Sequence, residues 1–252
     1  MNHSRRSEIA DMIERNRTIT NAEIMEKFGV SIETVRRDLA YLEQRGILDR
    51  VYGGAVRKRF MSIEPAYDRR ERDNENEKNA IAKEAEKFIE TGDTVFFDSG
   101  TTLLSLARII DANKRITAFT NSLRIAVELS SKCESVIVPG GELRKEEHAL
   151  SGFLAEENMK RFHIDKIIIG AGGVTEEGIS DFVLPEAGLR TQVIKRAQTV
   201  IAVADSSKLG VNAMCHVCDI KDIDVLITDE KSPVELLRKI EKKGVKVVVV
   251  RS

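Results

Sequence analysis

Residues 30–56 read VSIETVRRDLAYLEQRGILDRVYGGAV. The first half of this stretch has a helical period, because Val35, Leu39 and Leu42 form one apolar stripe at positions i, i+4 and i+7. A serine that can cap a helix precedes the stripe, so the pattern predicts a helix over residues 31–44. Away from the stripe, the first turns carry short polar and guanidinium side chains, at Ser31, Glu33, Thr34, Arg36 and Arg37. Such side chains suit a helix whose N-terminal half enters the major groove of DNA.

Two further helices are predicted before this one. Residues 4–15 place their apolar side chains on one helical face. Thr20 and Glu23 form a T-x-x-E capping box, which marks the start of a helix, and Gly29 is suited to end that helix. A helix, a tight turn at residues 28–30 and a following helix have the spacing of a helix-turn-helix motif.

After the third helix, the sequence indicates a two-stranded wing. Strand-like apolar residues follow at Ile47, Leu48, Val51 and Val56. The glycine pair Gly53-Gly54 between them predicts a turn. Basic side chains in or beside this hairpin could meet the phosphates that flank a groove, and they are Arg50, Arg57, Lys58 and Arg59.

The composition is that of a folded protein from a reducing compartment. The chain has 252 residues, of which 42% are hydrophobic and 32% charged, and no apolar run is long enough for a membrane span. Three cysteines, an odd number, argue against a disulfide framework and predict a cytoplasmic location. Residues 1–60 hold 12 Lys and Arg against 9 Asp and Glu, a net charge of +3, whereas the remainder carries −4. The basic excess is therefore N-terminal, which permits DNA binding there.

Residues 59–75 are predicted to be a linker between a first domain over residues 1–58 and a second over residues 76–252. Charged and asparagine residues dominate this segment, and Pro65 disfavours a helix next to it. A helix is predicted to begin near Asn76, where the apolar period resumes.

The rest of the chain alternates between predicted strands and helices. The strand candidates are Thr94–Phe97, Ile116–Phe119, Ser135–Val138, Lys166–Ile169, Thr199–Val203, Val225–Thr228 and Val245–Val250. Helical stretches lie between most of them, notably Thr102–Asp111, Ser122–Ser131, Glu186–Ala197 and Pro233–Lys243. Apolar strands joined by helices predict a Rossmann-like α/β domain whose largely parallel sheet is covered on both faces. Ligands of such sheets bind beyond the carboxyl ends of the strands.

The loops that follow five of these strands contain residues suited to a ligand. The first loop consists of Asp98, Ser99, Gly100, Thr101 and Thr102. It opens a helix whose free N–H groups attract an anion, although an N-cap cluster without a ligand would have the same sequence. The other four loops contain Asn121, the pair Gly140 and Gly141, the run Gly170–Gly173, and Asp205 to Lys208. Together the five loops predict a site for a small polar anion.

The ordered motifs of the chain also resemble those of the DeoR family of transcriptional regulators. In the N-terminal part they are V-R-R-D-L, L-x-x-x-G and the G-G-A wing. In the C-terminal part they are D-S-G-T-T, T-N-S, G-G-E-L-R…S-G, G-I-S…E-A-x-L-R and A-D-S-S-K-L-G. The resemblance covers nearly the whole chain. It implies a sensor domain similar to ribose-5-phosphate isomerase, to sugar-phosphate deaminases and to CoA-transferases.

Carried over by position, the resemblance also implies which residues hold the effector. The phosphate of a sugar phosphate would be bound by Ser99, Gly100, Thr101 and Thr102. Lys208 would contact the phosphate or the sugar end. Further contacts are implied for Asn121, Gly140, Gly141, Arg144, Ser151 and Glu186.

Enzymatic activity is the main alternative. Isomerases of the similar fold need a carboxylate base near the reacting carbons, in a loop that follows a central strand. The corresponding loop here, residues 170–173, contains only Gly and Ala, although Asp181 and Glu186 follow it and leave an acid–base pair open. We predict no catalytic residue, and the alternative is a sugar-phosphate isomerase or deaminase with a regulatory DNA-binding head.

The cysteines give a third hypothesis, a metal or redox sensor. Cys215 and Cys218 form a C-x-x-C pair, which is typical of metal and redox sites. Four nearby ligands are not evident in the sequence, and cysteine is among the residue types most often buried. Packing is the favoured interpretation, and we predict no metal site.

These observations together predict a sequence-specific DNA-binding regulator that represses a sugar-catabolism operon. Its expected partners are a double-stranded DNA operator, a sugar-phosphate effector and further copies of itself, as a dimer or a tetramer. We expect no cofactor and no membrane partner.

Overall fold

The structure is a computed structural model that describes residues 2–16, 18–45, 47–57 and 64–252. The chain divides into two compact units, Met1–Met61 and Ser62–Ser252. None of the helices in these described ranges has the length and apolarity that a membrane span requires.

The described residues of the N-terminal unit form three helices and a small antiparallel sheet. Its elements are α1 (Asn2–Asn16), β1 (Thr18–Thr20), α2 (Asn21–Phe28), α3 (Ile32–Gln44), β2 (Leu48–Val51) and β3 (Gly54–Arg57). The predicted helices and the predicted wing are thus present. Strand β1 was not predicted, because three residues between two helices are too few to establish a period of two. It pairs with β3, so that the sheet has the order β1-β3-β2.

The apolar stripe of α3 forms the core of this unit. Val35, Leu39 and Leu42 are each at most 2% exposed and pack with residues from every other element of the unit. The capping box of α2 is confirmed, because Thr20 Oγ1 accepts the Glu23 N–H at 3.2 Å and Glu23 Oε2 accepts the Thr20 N–H at 2.7 Å. Together these contacts fix α2 and α3 as a helix-turn-helix.

One capping prediction was wrong in its detail. Ser31 occupies the N-cap position of α3, but its side chain accepts no N–H from the helix. Its hydroxyl lies instead 3.3 Å from the hydroxyl of Thr34. The first turn of α3 therefore keeps N–H groups that no side chain of this cap satisfies.

The C-terminal unit is an α/β domain. Its helices are α4 (Tyr67–Arg72), α5 (Glu75–Glu86), α6 (Thr101–Ile109), α7 (Leu123–Leu129), α8 (Phe153–Met159), α9 (Leu184–Ile194) and α10 (Val234–Glu241). Its strands are β4 (Thr94–Phe97), β5 (Thr117–Thr120), β6 (Ser135–Ile137), β7 (Glu142–Arg144), β8 (Ala149–Ser151), β9 (Ile164–Ile169), β10 (Gly173–Val174), β11 (Gly178–Asp181), β12 (Ala197–Val203), β13 (Cys215–Asp219), β14 (Val225–Asp229) and β15 (Lys246–Val250). Three short 3-10 turns complete it, at Ala112–Lys114, Ser206–Lys208 and Ile220–Asp222.

Seven strands of the described chain form one parallel sheet, in the order β15-β14-β12-β9-β4-β5-β6. They are the seven strands that the sequence predicts. Alternate side chains enter two separate cores, so that Phe96 packs with α8, α9 and α10 while Val95 and Phe97 pack with α5, α6 and α7. Helices therefore cover both faces, as the continuous apolar runs indicate.

Two smaller sheets lie outside this predicted pattern. Strands β7 and β8 form a hairpin, and β10, β11 and β13 form an antiparallel sheet of three strands. Most of these strands have two to four residues, which is too short for a clear pattern in the sequence.

The segment predicted as a linker, residues 59–75, is folded from Glu64 onward. Tyr67 is 6% exposed and packs into the core beneath α5, α6 and α7. Helix α4 begins at Tyr67, and α5 begins at Glu75, one residue before the predicted start. A charge-rich sequence suggested a solvated connector, but several of these charges are satisfied by ion pairs within the domain. Residues 59–63 lie outside the described residues.

Candidate functional site

Helix α3 presents the predicted DNA-reading side chains on its first turns. Ser31, Glu33, Arg36 and Arg37 are exposed and Thr34 is half-buried. The Arg37 Nε donates only a long hydrogen bond of 3.4 Å, to the Glu33 carbonyl. Arg36 forms no ion pair with any described residue. Both guanidinium groups are therefore available to an outside partner.

The opposite face of α3 is fixed by an ion cluster that the sequence analysis missed. Asp38 is 1% exposed, and its two oxygens accept hydrogen bonds from Arg5 Nε and Arg6 Nε, both at 2.7 Å. Burial alone would raise the pKa of Asp38, but the bonds from the two arginines hold it below its ordinary value. The signal in the sequence was an aspartate beside the apolar stripe. The cluster attaches α3 to α1 and so orients the reading face.

The wing is attached to the helix-turn-helix through its turn. Gly53 has φ +84°, and its carbonyl accepts the Asn21 N–H at the start of α2 at 2.8 Å. A Cβ on Gly54 would lie 2.1 Å from the Ile19 carbonyl oxygen, so only glycine lets β1 approach β3 this closely. Tyr52, at the turn, is fully exposed.

The predicted basic contacts of the wing have different outcomes. Arg50 is exposed but paired, since its Nε lies 2.6 Å from Glu43 Oε2 on α3. Its predicted phosphate contact stays a prediction. The side chain of Arg57, and Lys58 and Arg59 altogether, lie outside the described residues.

In the C-terminal unit, the first predicted loop lies where the strand order reverses, between β4 and β9. Asp98 is 1% exposed, and its Oδ2 lies 2.6 Å from Arg190 Nε and accepts the Gly170 N–H at 3.1 Å. This carboxylate therefore joins two loops and helix α9. Gly100 has φ +140°, and helix α6 begins directly after it without a side-chain cap. The first N–H groups of α6 are thus not satisfied by any capping side chain.

Lys208 faces this region from the loop after β12. Burial lowers the pKa of its ammonium group, while the nearby Asp205 carboxylate opposes that shift and Arg70 adds to it. Among the described residues, no carboxylate or carbonyl forms an ion pair or hydrogen bond with the Lys208 ammonium. Lys208 is half-buried, and a partly buried cation without a partner has the chemistry of an anion-binding group.

Further predicted residues lie on or next to the hairpin β7–β8. Asn121 is 1% exposed; its Nδ2 donates to the Leu150 carbonyl at 3.3 Å, and its Oδ1 is buried without a hydrogen bond. Gly141 approaches the buried Ser151, whose carbonyl oxygen would lie 2.4 Å from a Cβ at residue 141. Gly140, with φ +77°, precedes this contact. These residues thus hold the hairpin against the edge of the main sheet.

Arg144 on β7 connects the hairpin to a buried network of charges. Its two terminal nitrogens lie 3.0 Å from Glu186 Oε1 and 2.7 Å from Glu64 Oε2. Glu64 Oε1 in turn lies 3.1 Å from a terminal nitrogen of Arg70, which also contacts Glu147. The Arg70 carbonyl accepts a long hydrogen bond of 3.5 Å from Thr101 Oγ1, which brings the network to the first loop.

Glu186 and Arg190 complete this network on helix α9. Burial raises the pKa of Glu186 to about 7, against the opposing effect of Arg144. Arg190 is 5% exposed and contacts Asp98, Asp181 and, at 3.8 Å, Glu186. The structure thus brings Asp98, Thr101, Arg144, Glu186 and Lys208 to one edge of the sheet.

The sequence analysis missed several members of this network. They are Glu64, Arg70, Glu147, Asp181 as an ion-pair partner, and Arg190. One of them belongs to a motif given above, since Arg190 ends E-A-x-L-R, and Glu64 precedes Pro65 in the segment predicted as a linker. Their partners are up to 92 positions away in the chain, as for Arg190 and Asp98, so spacing could not reveal them.

The cysteine pair lies in a core. Cys215 and Cys218 on β13 are each 7% exposed and pack in the cluster beneath α8, α9 and α10. Burial raises the pKa of Cys218 to about 12, which disfavours the thiolate that metal binding and redox chemistry use. Within the described ranges, no three His, Cys, Asp or Glu side chains come together as metal ligands.

Comparison with known protein families matches both parts of the chain. Residues 5–59 match the DeoR-like helix-turn-helix domain, and residues 73–230 match the DeoR C-terminal sensor domain. The second match alone covers more than half of the chain. No isomerase or deaminase family is needed to account for either part.

Curated relatives agree with this match over nearly their whole length. The putative aga operon transcriptional repressor of Escherichia coli O157:H7 is 32% identical over 98% of this chain and 93% of its own. The regulator GlpR of Haloferax volcanii is 36% identical, over 89% of each chain. The glycerol-3-phosphate regulon repressor of Escherichia coli K12 is 30% identical, over 93% of each.

Among solved structures, ribose-5-phosphate isomerase from Methanocaldococcus jannaschii is similar at 19% identity. The similarity covers 54% of this chain and 55% of that one, with a TM-score of 0.39. A similarity at this level bears neither on the fold nor on the activity of the present chain.

Proposed function

Because the chain belongs to the DeoR family of DNA-binding transcriptional regulators, we propose that a phosphorylated sugar or polyol, bound at the carboxyl edge of its parallel sheet, sets its affinity for an operator. Like the members of this family and the named relatives, the chain is a transcriptional regulator and not an enzyme. Those relatives include repressors of the aga operon and of the glycerol-3-phosphate regulon, which supports repression of a sugar-related operon here.

Operator reading is assigned to the exposed face of α3. The Arg36 and Arg37 guanidinium groups project from its first two turns, beside Thr34 and Glu33. Arginine in this position reads guanine through two hydrogen bonds, and the attached wing supports contacts to the flanking backbone. Paired copies of the chain would read repeated half-sites, so we propose a homo-oligomer that acts in the cytoplasm.

One observation carries the effector part of the proposal, namely the half-buried Lys208, whose ammonium group pairs with no carboxylate among the described residues. An anion that binds beside this ammonium group would pair with it and offset the cost of burying its charge. The open N–H groups of α6 and the hydroxyls of Ser99, Thr101 and Thr102 are additional donors for phosphate oxygens. No cofactor is required for this binding.

The proposal is tested by a gel-shift titration. DNA from upstream of the protein's own operon would be bound by the full chain and then titrated with a panel of sugar and polyol phosphates. We expect one phosphorylated compound to change the apparent operator affinity by at least about fivefold, since coupling energies of effectors are commonly of this order. The unphosphorylated counterparts serve as controls. If the unphosphorylated compounds change the operator affinity equally well, the protein does not recognise the phosphate, and the proposed effector site is wrong.

A further inference from the structure

The carboxylate of Glu64 is held between two arginines. Its Oε2 lies 2.7 Å from Arg144 and its Oε1 lies 3.1 Å from Arg70, and its side chain is 14% exposed. A single carboxylate shared by two guanidinium groups in a partly buried place reproduces the arrangement in which arginines bind phosphate. Glu64 therefore occupies a position suited to an outside anion.

This arginine pair lies at the edge assigned to the effector. The charges of Glu64 and Arg70 both act on the ammonium group of Lys208. Arg144 also contacts Glu186, and the Arg70 carbonyl accepts a hydrogen bond from Thr101 Oγ1. A phosphate beside Lys208 would therefore lie within electrostatic reach of the same two arginines that Glu64 occupies.

Glu64 is also the first described residue after the wing. It follows Arg57, the last residue of β3, by seven positions. Beyond it, the chain is held firmly: Arg70 Nε donates to the Pro65 carbonyl at 3.0 Å, and Lys78 Nζ donates to the Arg70 and Asp73 carbonyls. A connecting segment leads from the DNA-binding unit to Glu64. The contacts of Glu64 thus attach the end of this segment to the sensor domain.

We propose that Glu64 is an internal anion. It holds Arg70 and Arg144 in the effector-free protein, and the anionic group of the effector displaces it from them. This inference rests on the proposed function. A phosphate carries about −1.5 to −2 charges near pH 7, against one for a carboxylate, so it competes effectively for shared cations. Displacement of Glu64 releases the end of the connecting segment from Arg144. The effector therefore binds the state with Glu64 released more tightly than the state with Glu64 held by the arginines.

The inference predicts that effector binding is weakened by the need to displace Glu64. In Glu64→Gln the side chain keeps its size but loses its charge. Arg70 then keeps Glu147 and Arg144 keeps Glu186, but each has lost one carboxylate that an outside anion can replace. Inorganic phosphate, titrated into the full chain and followed by isothermal calorimetry, should bind this variant roughly tenfold more tightly than the wild type. The matched control is Glu134→Gln, an exposed glutamate paired with Arg115 at 3.4 Å, which should leave phosphate affinity unchanged.

A second variant covers the case in which Glu64→Gln does not fold. Glu64→Asp keeps the charge but is one methylene shorter, so it cannot reach both arginines, and it should also bind phosphate more tightly than the wild type. Equal phosphate affinity in the wild type and the Glu64 variants would overturn the internal anion while leaving the proposed effector site standing. Tighter binding that is unaffected by Lys208→Gln would instead support the internal anion and contradict the proposed site. No binding by any folded form would overturn both.

Discussion

The Asp98 carboxylate and the Arg190 guanidinium lie 2.6 Å apart at the point where the strand order of the main sheet reverses. Asp98 follows β4, and Arg190 reaches it from helix α9. Since Asp98 also accepts the Gly170 N–H, the pair fixes the loop after β9 as well. The floor of the candidate effector site is therefore held by a buried ion pair rather than by apolar packing.

Removal of this carboxylate should destabilise the sensor domain. In Asp98→Asn, Arg190 keeps Asp181 but loses one of its buried partners. Breaking a buried pair in this way lowers the free energy of unfolding by about 3 kcal/mol. Urea denaturation of the two proteins at neutral pH measures the difference. Glu134→Gln, which breaks an exposed pair, should change stability by less than about 1 kcal/mol; a loss of similar size in both variants would contradict the assigned role of Asp98.

Operator recognition should depend on Arg37. Its guanidinium is exposed on α3 and holds only a long bond to the Glu33 carbonyl. Arg37→Ala should weaken binding to the specific operator by about 1–3 kcal/mol, while affinity for unrelated DNA changes much less. Fluorescence anisotropy with both DNAs measures this. The control is Lys242→Ala, which removes an exposed positive charge from the end of α10. Loss of specific and unrelated binding to the same extent would assign Arg37 to the phosphate backbone instead.

Effector response should be lost in Lys208→Ala, whereas operator binding without effector should be retained. The ammonium group lies in the sensor domain, and the variant removes the cation that the effector's phosphate would meet. Gel-shift titration with the effector that acts on the wild type is the measurement. Unimpaired release of DNA from Lys208→Ala would exclude this lysine from the effector site.

Stability should depend on pH through Glu186. Its pKa in the folded protein is about 7, compared with an ordinary value of 4.5, because burial disfavours the charged carboxylate. The folded state therefore binds more protons than the unfolded state between these values, and the free energy of unfolding falls as pH rises from 4.5 to 7. Over this range the contribution of Glu186 to the free energy of unfolding falls by about 3 kcal/mol, and above pH 7 it changes little further.

The variant Glu186→Gln should not show this contribution. Its free energy of unfolding, measured by urea denaturation from pH 5 to pH 8, should fall less steeply with pH than that of the wild type. Parallel curves for the two proteins would mean that Glu186 is ionised throughout the range and that Arg144 outweighs its burial.

The main sheet could be predicted from the sequence because buried parallel strands have uninterrupted apolar runs. Val95, Phe96 and Phe97 are all fully buried, on alternating faces, so each position had to be apolar. Strand β1 lacked such a signal, since only Ile19 of its three residues is buried. Its presence depends on the close approach of β3, which Gly54 permits.

The candidate site was predictable in its location and less so in its contacts. Loops after parallel strands had to meet at one edge, so that Asp98 and Lys208 could be placed there, whereas Glu186 was implied only by the family resemblance. The partner of each charge is set by tertiary structure. Glu64 and Arg144 are 80 positions apart, and the charge-rich sequence around Glu64 has the composition of a solvated linker. Composition cannot distinguish charges that face water from charges that face each other.

The hydrogen bond from the Asn21 N–H to the Gly53 carbonyl has an entropic consequence for DNA binding. A free hairpin would lose backbone freedom when it settles on a duplex, and ordering each residue costs about 1–2 kcal/mol. The wing turn is already ordered, because this bond and the close contact at Gly54 restrain it from two sides. This entropic cost is therefore incurred when the protein folds. Less of it opposes binding, so the contacts of the wing with DNA contribute more fully to the affinity.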